Sequence, residues 1–257
     1  MSILSTITTG RTPMPPRVMI YGYEGVGKST WAASAPKPIF IQLENGLNQI
    51  ATNKFPLAKT WDEVVAQINA LLEEEHDFQT LVIDAMSGLE RVIFAEVCKK
   101  FGVKNIEKAD GGYARGYKHA LDWWELFLEG LDRLSTKRNM MIILIAHVGV
   151  QEVKDPESQT YHRTAPRMHH LAEGMVSQWC DAVLQAKQNF RVQKTTEGFG
   201  SERAIATAVG ADGGERVVRT IGTAAVIAKN RFGLPEYLPL DFNVFFDLVS
   251  EALKNEK

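Results

Sequence analysis

The sequence predicts an α/β protein with a mostly parallel central sheet, helices on both faces and antiparallel hairpins toward the C-terminus. Four short apolar runs, each typical of a buried strand, alternate with helical patterns and span 17–21, 38–43, 80–84 and 140–146. This alternation favours a parallel sheet, because each crossover helix returns the chain in the same direction. Ligands of such sheets bind beyond the carboxyl ends of the strands.

Apolar residues at helical spacing define the helices between these strands. A short helix is predicted from Ser29 to Ser34, before Pro36. The glycine-bounded segment 102–112 is predicted to be a loop. Three longer helices carry the apolar sets Trp61, Val64, Ile68 and Leu72; Leu89, Val92, Ile93 and Val97; and Leu121, Trp124, Leu128, Leu131 and Leu134.

The pattern changes after residue 148. The polar stretch 149–166 is too long for an ordinary connection and is predicted to be functional or partly disordered. Residues 204–209 are expected to pair with 216–221 across the turn 210–214. The other predicted elements are a helix at 168–178, strands at 182–186, 190–193 and 224–228, and a final helix with Phe245, Leu248, Val249 and Leu253 on one side.

Composition and charge are those of an ordinary globular protein. Of 257 residues, 45% are hydrophobic and 23% are charged, so the chain can bury a full core. The formal net charge of −2 restricts any nucleic-acid surface to a local patch. Cys98 and Cys180 lack metal-ligand spacing and predict buried thiols in a reducing compartment. We see neither a signal peptide nor a membrane-spanning run and expect an intracellular protein that does not bind membranes.

A phosphate-binding loop is predicted between the first strand and the first helix. Residues 22–29, Gly-Tyr-Glu-Gly-Val-Gly-Lys-Ser, fit G-x-x-x-x-G-K-[ST] at every fixed position. The glycines let backbone N–H groups point at phosphate oxygens, and the helix that follows presents its positive end. Lys28 would reach the β and γ phosphates of ATP, and Ser29 would bind Mg²⁺. The predicted nucleotide-binding residues are Gly22, Glu24, Gly25, Val26, Gly27, Lys28, Ser29 and Thr30.

Three polar side chains stand at the ends of the other predicted strands. Asp84 is expected to hold Mg²⁺ together with Ser29. Glu44 is the best candidate to activate water at the γ phosphate, since no second acid follows Asp84. His147 either senses the γ phosphate or only caps its strand.

Lys229 and Arg231 lie two residues apart at the end of a predicted strand, so their side chains project to the same side. Two cations directed at one place suit a triphosphate. Because the hairpin region is expected at the sheet edge, we predict that they reach the nucleotide of a neighbouring subunit, as arginine fingers do. The alternative is a pair of solvated charges beside a turn.

Together these features resemble the RecA-like recombination ATPases over residues 17–235. In that family the catalytic glutamate closes the second strand, which matches Glu44, and Lys-Asn-Arg-Phe-Gly at 229–233 is similar to a signature of the RadA branch. The compact size and the run 111–118 resemble short bacteriophage members, some of which anneal single strands. The chain departs from RecA in having His147 where RecA has a glutamine.

The resemblance implies an ATPase core at 17–235, flanked by a flexible arm at 1–16 and by a helix within 236–257 that packs on the core. It also implies DNA-stimulated ATP hydrolysis, a homo-oligomer in the form of a ring or filament, and a place in the cytoplasm of a bacterial host cell. A single-strand binding protein is a candidate partner. Single-stranded DNA would lie on two loops, at 102–118 and 149–167. The residues expected to bind it are Lys104, Lys108, Tyr113, Arg115, Lys118, Arg163 and Arg167.

Two other functions stay open at this point. Acids are interleaved with the cations of both loops, which favours solvated loops or a non-DNA switch or assembly ATPase acting on a protein partner. A small-molecule kinase is a third possibility, but such enzymes usually carry an Arg-rich lid, and this chain has a hairpin-rich second half instead.

Overall fold

The computed structural model of the protein describes residues 3–7, 14–154, 159–197, 201–208 and 214–254, with the backbone alone for 190–197 and 201–208. The α-helices are α1 (Lys28–Ala33), α2 (Trp61–Glu73), α3 (Met86–Phe101), α4 (Arg115–Arg138), α5 (His170–Trp179) and α6 (Phe242–Lys254). The strands are β1 (Arg17–Gly22), β2 (Pro38–Gln42), β3 (Asn53–Lys54), β4 (Thr80–Asp84), β5 (Met141–Val153), β6 (Tyr161–Pro166), β7 (Ala182–Gln188), β8 (Phe190–Glu197), β9 (Ser201–Ala208), β10 (Arg216–Arg219), β11 (Lys229–Asn230) and β12 (Tyr237–Pro239).

The central sheet confirms the predicted α/β class. Within the described residues its main path runs β12-β10-β7-β1-β5-β4-β2-β3. The strands from β7 to β3 pair in parallel, whereas β10, β11 and β12 add to the β7 edge in antiparallel fashion. Because β1, β2, β4 and β5 run in one direction, their carboxyl ends share one edge of the sheet.

Helices cover both faces of this sheet, as expected. Alternate residues of each central strand enter different clusters, because successive side chains of a strand point to opposite faces. Met19 and Tyr21 pack with α2, α3, α4 and α5, whereas Val18 and Ile20 pack with α1 and α6. The second cluster is closed by the edge-on contact of Trp31 with Phe242, whose ring centroids are 4.9 Å apart. α6 therefore packs on α1 through its apolar side.

The predicted pairing between 204–209 and 216–221 is wrong. β9 pairs with β8 in a separate two-stranded sheet, whereas β10 lies between β7 and β12. Residue 209 and residues 210–213, the larger part of the predicted turn, lie outside the described residues. The expected strand at 224–228 is also absent from the described structure, where residues 224 and 225 form a turn and β11 begins only at Lys229. Local β propensity predicts strands, but packing selects their partners.

Both segments expected to be loops contain regular structure. Within 102–112 a 3₁₀ helix spans Ile106–Gly111, with Ile106 and Ala109 buried. β5 does not end at His147 but continues to Val153 and pairs with β6, so 149–166 is a β-hairpin. Its central residues 155–158 lie outside the described residues. The polar sequence looked like a loop because both faces of this hairpin are largely free of the core.

The two ends of the chain are described only in part. Ile3–Thr6 forms an exposed 3₁₀ helix, and the rest of the arm up to residue 13, apart from Ile7, lies outside the described residues. The division at residues 16 and 235 stays a prediction. No helix in the described part of the chain is long and apolar enough to cross a membrane.

Candidate nucleotide-binding site

The phosphate loop joins the carboxyl end of β1 to α1. Gly25 and Gly27 have φ angles of 74° and 106°, in the left-handed region that residues with a Cβ atom rarely adopt. These two glycines turn the chain back so that α1 can begin at Lys28, and the N–H of Trp31 bonds to the carbonyl of Gly27 at 2.9 Å. The spacing of glycines in the motif therefore corresponds to backbone angles that this turn requires.

Lys28 is held inside the loop. Its side chain is buried, and Nζ donates hydrogen bonds of 2.9 Å to the carbonyl oxygens of Gly22 and Tyr23. Burial lowers the pKa of Lys28, and the nearby carboxylates, first Asp84, oppose that shift. The ammonium is thus directed over the loop, where phosphate oxygens could replace its carbonyl partners.

Ser29 and Asp84 meet although their elements are not adjacent in the sheet. In the sheet β5 lies between β1, which leads into the phosphate loop, and β4, which ends at Asp84. The Ser29 hydroxyl nevertheless donates to Asp84 Oδ2 at 2.7 Å. Burial raises the pKa of Asp84, while the hydrogen bond from Ser29 works in the other direction.

A hydroxyl and a carboxylate are oxygen ligands of the kind that Mg²⁺ prefers. Among the described residues, no group of three His, Cys, Asp or Glu side chains is placed to hold a metal ion by itself. The pair Ser29 and Asp84 fits the usual magnesium site of nucleotide enzymes, in which phosphate oxygens and water complete the coordination. A bound ion would neutralise charge on the phosphates and on Asp84.

Glu44 follows β2 at the same edge and is held by three side chains. Oε1 accepts from the Ser87 hydroxyl at 2.8 Å and from Arg91 Nη2 at 3.3 Å, and Oε2 lies 3.0 Å from His147 Nε2. Burial alone would raise the pKa of Glu44, but the hydrogen bonds from His147 and Ser87 outweigh it, and the pKa lies below its usual value. Glu44 is therefore a carboxylate kept ionised beside the phosphate loop.

Sequence reasoning missed Ser87 and Arg91. The signal was present, because residues four apart on α3 share one face and the helix starts directly after Asp84. What could not be read from the sequence is that this face turns toward the end of β2.

His147 connects Glu44 to the phosphate loop. It pairs in register with Gly22, the last residue of β1, so it stands at the edge where β1 ends even though β5 continues. Its Nδ1 is buried without a hydrogen-bond partner in the described part of the chain and lies 3.9 Å from Glu24 Oε1. Contact with both Glu44 and Glu24 is more than a strand cap needs, but its sensing role stays a prediction.

A cavity of about 340 Å³ brings most of the predicted site together. Gly22 and Val26 lie behind its wall: the Gly22 carbonyl binds Lys28, and Val26 is buried in the core. Arg216 of β10 also lines the cavity and was not predicted, because nothing near it in sequence suggests a nucleotide site. The predicted residues that line it are Glu24, Gly25, Gly27, Lys28, Ser29, Thr30, Glu44, Asp84 and His147.

Lys229 and Arg231 lie far from this cavity. β11 pairs with Val183 and Ala182 at the start of β7, which is the opposite end of the sheet from the phosphate loop. Both cations contact groups of their own chain near the end of α5. Lys229 Nζ donates to the carbonyls of Ser177, Gln178 and Cys180, and Arg231 contacts Asp181 and the carbonyl of Gln178.

These contacts differ from both earlier alternatives. An ammonium has three N–H donors, and Lys229 Nζ donates one hydrogen bond to each of three carbonyls at the end of α5. Burial, then the charge of Arg231, lowers the pKa of Lys229. A role toward a neighbouring subunit stays a prediction and would require Lys229 to leave this arrangement.

Lys229→Met is therefore expected to lower the melting temperature by roughly 4–8 °C. The carbonyls at the end of α5 would lose charge-assisted bonds, a loss of about 2 kcal/mol in a protein of this size. Thermal unfolding followed by circular dichroism measures the shift, with Lys137→Met on the exposed side of α4 as the control. An unchanged melting temperature together with lost ATPase activity would instead favour action on a neighbouring subunit.

The first predicted DNA region is only partly a loop. Lys104 and Lys108 are exposed around the 3₁₀ helix, Tyr113 is 93% exposed, and Arg115 and Lys118 lie exposed in the first turn of α4. Arg115 Nη1 also donates to the carbonyl of Asp110 at 3.2 Å. The region therefore presents cations and one fully exposed aromatic ring on an ordered base.

The second predicted DNA region is the β5–β6 hairpin. Arg163 is half-buried and donates from Nε and Nη2 to Gln151 Oε1, whereas Arg167 is exposed just after β6. Tyr117 of the first region stacks on His169, two residues after the second region, with ring centroids 4.1 Å apart. The backbone N–H of Arg167 bonds to the carbonyl of His147 at 2.8 Å, so this hairpin is attached directly to the phosphate site.

A parallel sheet, a phosphate loop and the Ser29–Asp84 pair define a P-loop NTPase. Residues 14–232 match the family model described as an AAA domain, and the chain belongs to that family. It is also similar to the SPbeta prophage-derived uncharacterized protein YorG of Bacillus subtilis strain 168, with 25% identity over 112 residues. That match spans 42% of this chain and only 35% of YorG.

Among solved structures, the chain is similar to the one described as the crystal structure of the RadB recombinase. The match covers 88% of this chain and 88% of the RadB chain, with 16% sequence identity and a TM-score of 0.47. A likeness of that degree carries no argument about function.

Proposed function

We propose that this chain is a Mg²⁺-dependent ATPase that assembles as a homo-oligomer on single-stranded DNA and promotes annealing or strand exchange in phage-type recombination. One observation carries the DNA part of the proposal. The strand that brings His147 to the phosphate site continues into the hairpin that bears Arg163 and Arg167, and the Arg167 N–H bonds to the His147 carbonyl. A change at the γ phosphate therefore has a short, covalent and hydrogen-bonded route to exposed cations.

The chemistry of the nucleotide site supports hydrolysis. Lys28 would bind phosphate oxygens, and Ser29 and Asp84 would hold Mg²⁺, which neutralises charge on the phosphates. Glu44 would orient and deprotonate the attacking water, since its carboxylate is kept ionised by His147 and Ser87. These roles leave a proton on Glu44 after attack, at a carboxylate that is only partly exposed.

The exposed groups of the two predicted DNA regions support single-stranded DNA as the partner. Lys104, Lys108, Lys118 and Arg167 are exposed, and Tyr113 offers a ring on which a base could stack. The similarity to a prophage-derived protein supports a phage context, although it covers only part of both chains. The cytoplasm of a bacterial host and a single-strand binding protein as a further partner follow from this proposal.

The test is an anisotropy titration of a labelled oligothymidine with protein loaded with Mg²⁺ and a non-hydrolysable ATP analogue. We expect binding that weakens with salt, and a slope of log K against log salt reduced by about 0.7 in Lys118→Gln and again in Arg167→Gln, as for one lost phosphate contact to a single strand. The control Arg133→Gln removes an exposed cation of α4 and should leave the slope unchanged.

A loaded protein with no salt-sensitive affinity for the oligonucleotide would contradict DNA binding. ATP hydrolysis in such a protein would then favour the second candidate, a switch or assembly ATPase that grips a protein partner. The acids near the cations, Glu107 and Asp110 in the first region and Glu152 in the second, are the observation that favours that candidate.

A further inference from the structure

Arg216 stands against the phosphate loop although it comes from a distant part of the sequence. β10 pairs antiparallel with β7, and Arg216 lies opposite Gln188, the last residue of β7. Because β7 runs parallel to β1, the start of β10 falls at the sheet edge where β1 delivers the phosphate loop. A Cβ atom added to Gly27 would come within 3.4 Å of Arg216 Nη1, so the guanidinium lies over the loop.

The Arg216 guanidinium has no other partner among the described residues. Arg216 is exposed and makes no side-chain hydrogen bond or ion pair with any residue that the structure describes. Its backbone is fixed, since its carbonyl accepts from the N–H of Leu240 at 3.0 Å and so ties β10 to the segment that leads into α6. Arg216 is thus a cation on a fixed strand, and its guanidinium donors are not used by any described residue.

The charge balance of the phosphate cavity calls for such a group. Glu24, Glu44 and Asp84 line the cavity with three carboxylates, whereas Lys28 and Arg216 are its two permanent cations. A triphosphate brings about four further negative charges, and Mg²⁺ offsets only two. Arg guanidinium groups suit phosphate oxygens because their planar donors can bind two at once.

A second cavity begins where Arg216 stands. It has a volume of about 310 Å³ and shares Gly27, Thr30 and Arg216 with the phosphate cavity. Its other walls are Trp31 of α1, Ser34 just after α1, and the segment from Leu240 to Asn243. Buried aromatic rings, Trp31 and Phe242, lie beside exposed polar groups, which is the mixture found in sites for flat polar ligands.

Resting on the proposed ATP binding, we infer that Arg216 is a nucleotide-binding residue of the same chain. It contacts the phosphate chain where the nucleotide leaves the phosphate loop, and the nucleoside then enters the cavity between α1 and the start of α6. Asp241 and Asn243 are the polar groups available there to the base or ribose; Asp241 Oδ1 already accepts from the Asn243 N–H at 2.8 Å, which orients the carboxylate.

The phosphate contact of Arg216 and the placement of the nucleoside can be tested separately with two ligands. Calorimetry measures the affinity for a non-hydrolysable ATP analogue and for inorganic tripolyphosphate, each with Mg²⁺. Arg216→Gln should weaken both ligands by about ten- to 100-fold, as for a lost charge-assisted bond. Arg133→Gln removes the same charge on the other side of the sheet and should change neither. Asn243→Trp fills the second cavity from an exposed position and should weaken only the ATP analogue, by about tenfold or more.

Equal affinities of wild-type and Arg216→Gln protein would overturn the role of Arg216. An unchanged affinity of Asn243→Trp for the ATP analogue would overturn the placement of the nucleoside. Both results are distinct from failure of the proposed function, which would appear as wild-type protein that binds neither ligand. Melting temperatures within a few degrees of wild type would show that the variants are folded.

Discussion

Glu44→Gln is expected to lower the rate of ATP hydrolysis by about 10²- to 10⁴-fold, the usual contribution of a positioned general base. Glutamine keeps the shape and can still accept from Ser87, but it cannot take a proton from water. Of the other carboxylates in the cavity, Asp84 is bound to Ser29, and Glu24 has a side chain that is 79% exposed. No other described residue of the cavity is as well placed to act as the base.

Single-turnover release of phosphate measures this effect, and binding of the ATP analogue should stay within a few-fold of wild type. Glu125→Gln, an exposed acid on α4, is the matched control and should hydrolyse ATP normally. A variant that keeps more than about a tenth of the wild-type rate would place the base outside Glu44.

Asp84→Asn is expected to abolish Mg²⁺-dependent hydrolysis while it stabilises the nucleotide-free protein at pH 7. Burial raises the pKa of Asp84 in the folded state, with the Ser29 hydroxyl opposing. A raised pKa means that the folded state binds the proton more readily than the unfolded state. The carboxyl group's contribution to stability is therefore complete below its unfolded pKa, near 4, and is lost as the pH rises through the folded pKa.

Asparagine is neutral at every pH, so the variant should melt higher than wild type at pH 7, by roughly 2–4 °C for each kcal/mol gained. The difference should shrink as the pH falls toward 4, and it should reverse when Mg²⁺ and ATP are added, because only the wild type gains the metal. Asp122→Asn on the exposed side of α4 controls for the loss of a surface charge. A variant that melts lower than wild type at pH 7 without nucleotide would contradict this account.

Functional sites often retain groups that cost stability, and Asp84 illustrates the reason. Its carboxylate is half-buried at the end of β4, where it accepts from Ser29, and it has no positive partner in direct contact among the described residues. Mg²⁺ would supply that partner, so nucleotide binding and local stability are coupled in this site.

Lys229 shows how far spacing alone can lead. Lys229 is on β11 and Arg231 directly follows that strand, and the antiparallel pairing of β11 with β7 places both cations at the end of the sheet opposite the phosphate loop. There Lys229 binds the carbonyls at the end of α5, and no local sequence pattern predicts this contact. Arg216 is the opposite case. Its strand also pairs with β7, but at the other end, and this pairing brings Arg216 to the phosphate loop from nearly 190 residues away in sequence.

What the amino-acid sequence determined by itself was local. The phosphate loop needs glycines at fixed places, each buried strand needs a short apolar run, and each helix needs apolar residues at 3.6-residue spacing. From these the parallel sheet followed, and with it the meeting of Glu44, Asp84 and His147 at one edge.

Only the tertiary structure decided which long-range neighbours complete the site. Ser87 and Arg91 reach Glu44 because α3 turns one face toward β2, and Arg216 reaches Gly27 because β10 joins β7 rather than β9. Strand partners and helix orientations are set by the packing of the whole core, to which each residue adds only a small preference. The phosphate loop at 22–29 could be predicted from its own sequence, whereas the identity of the groups that surround it depends on the complete fold.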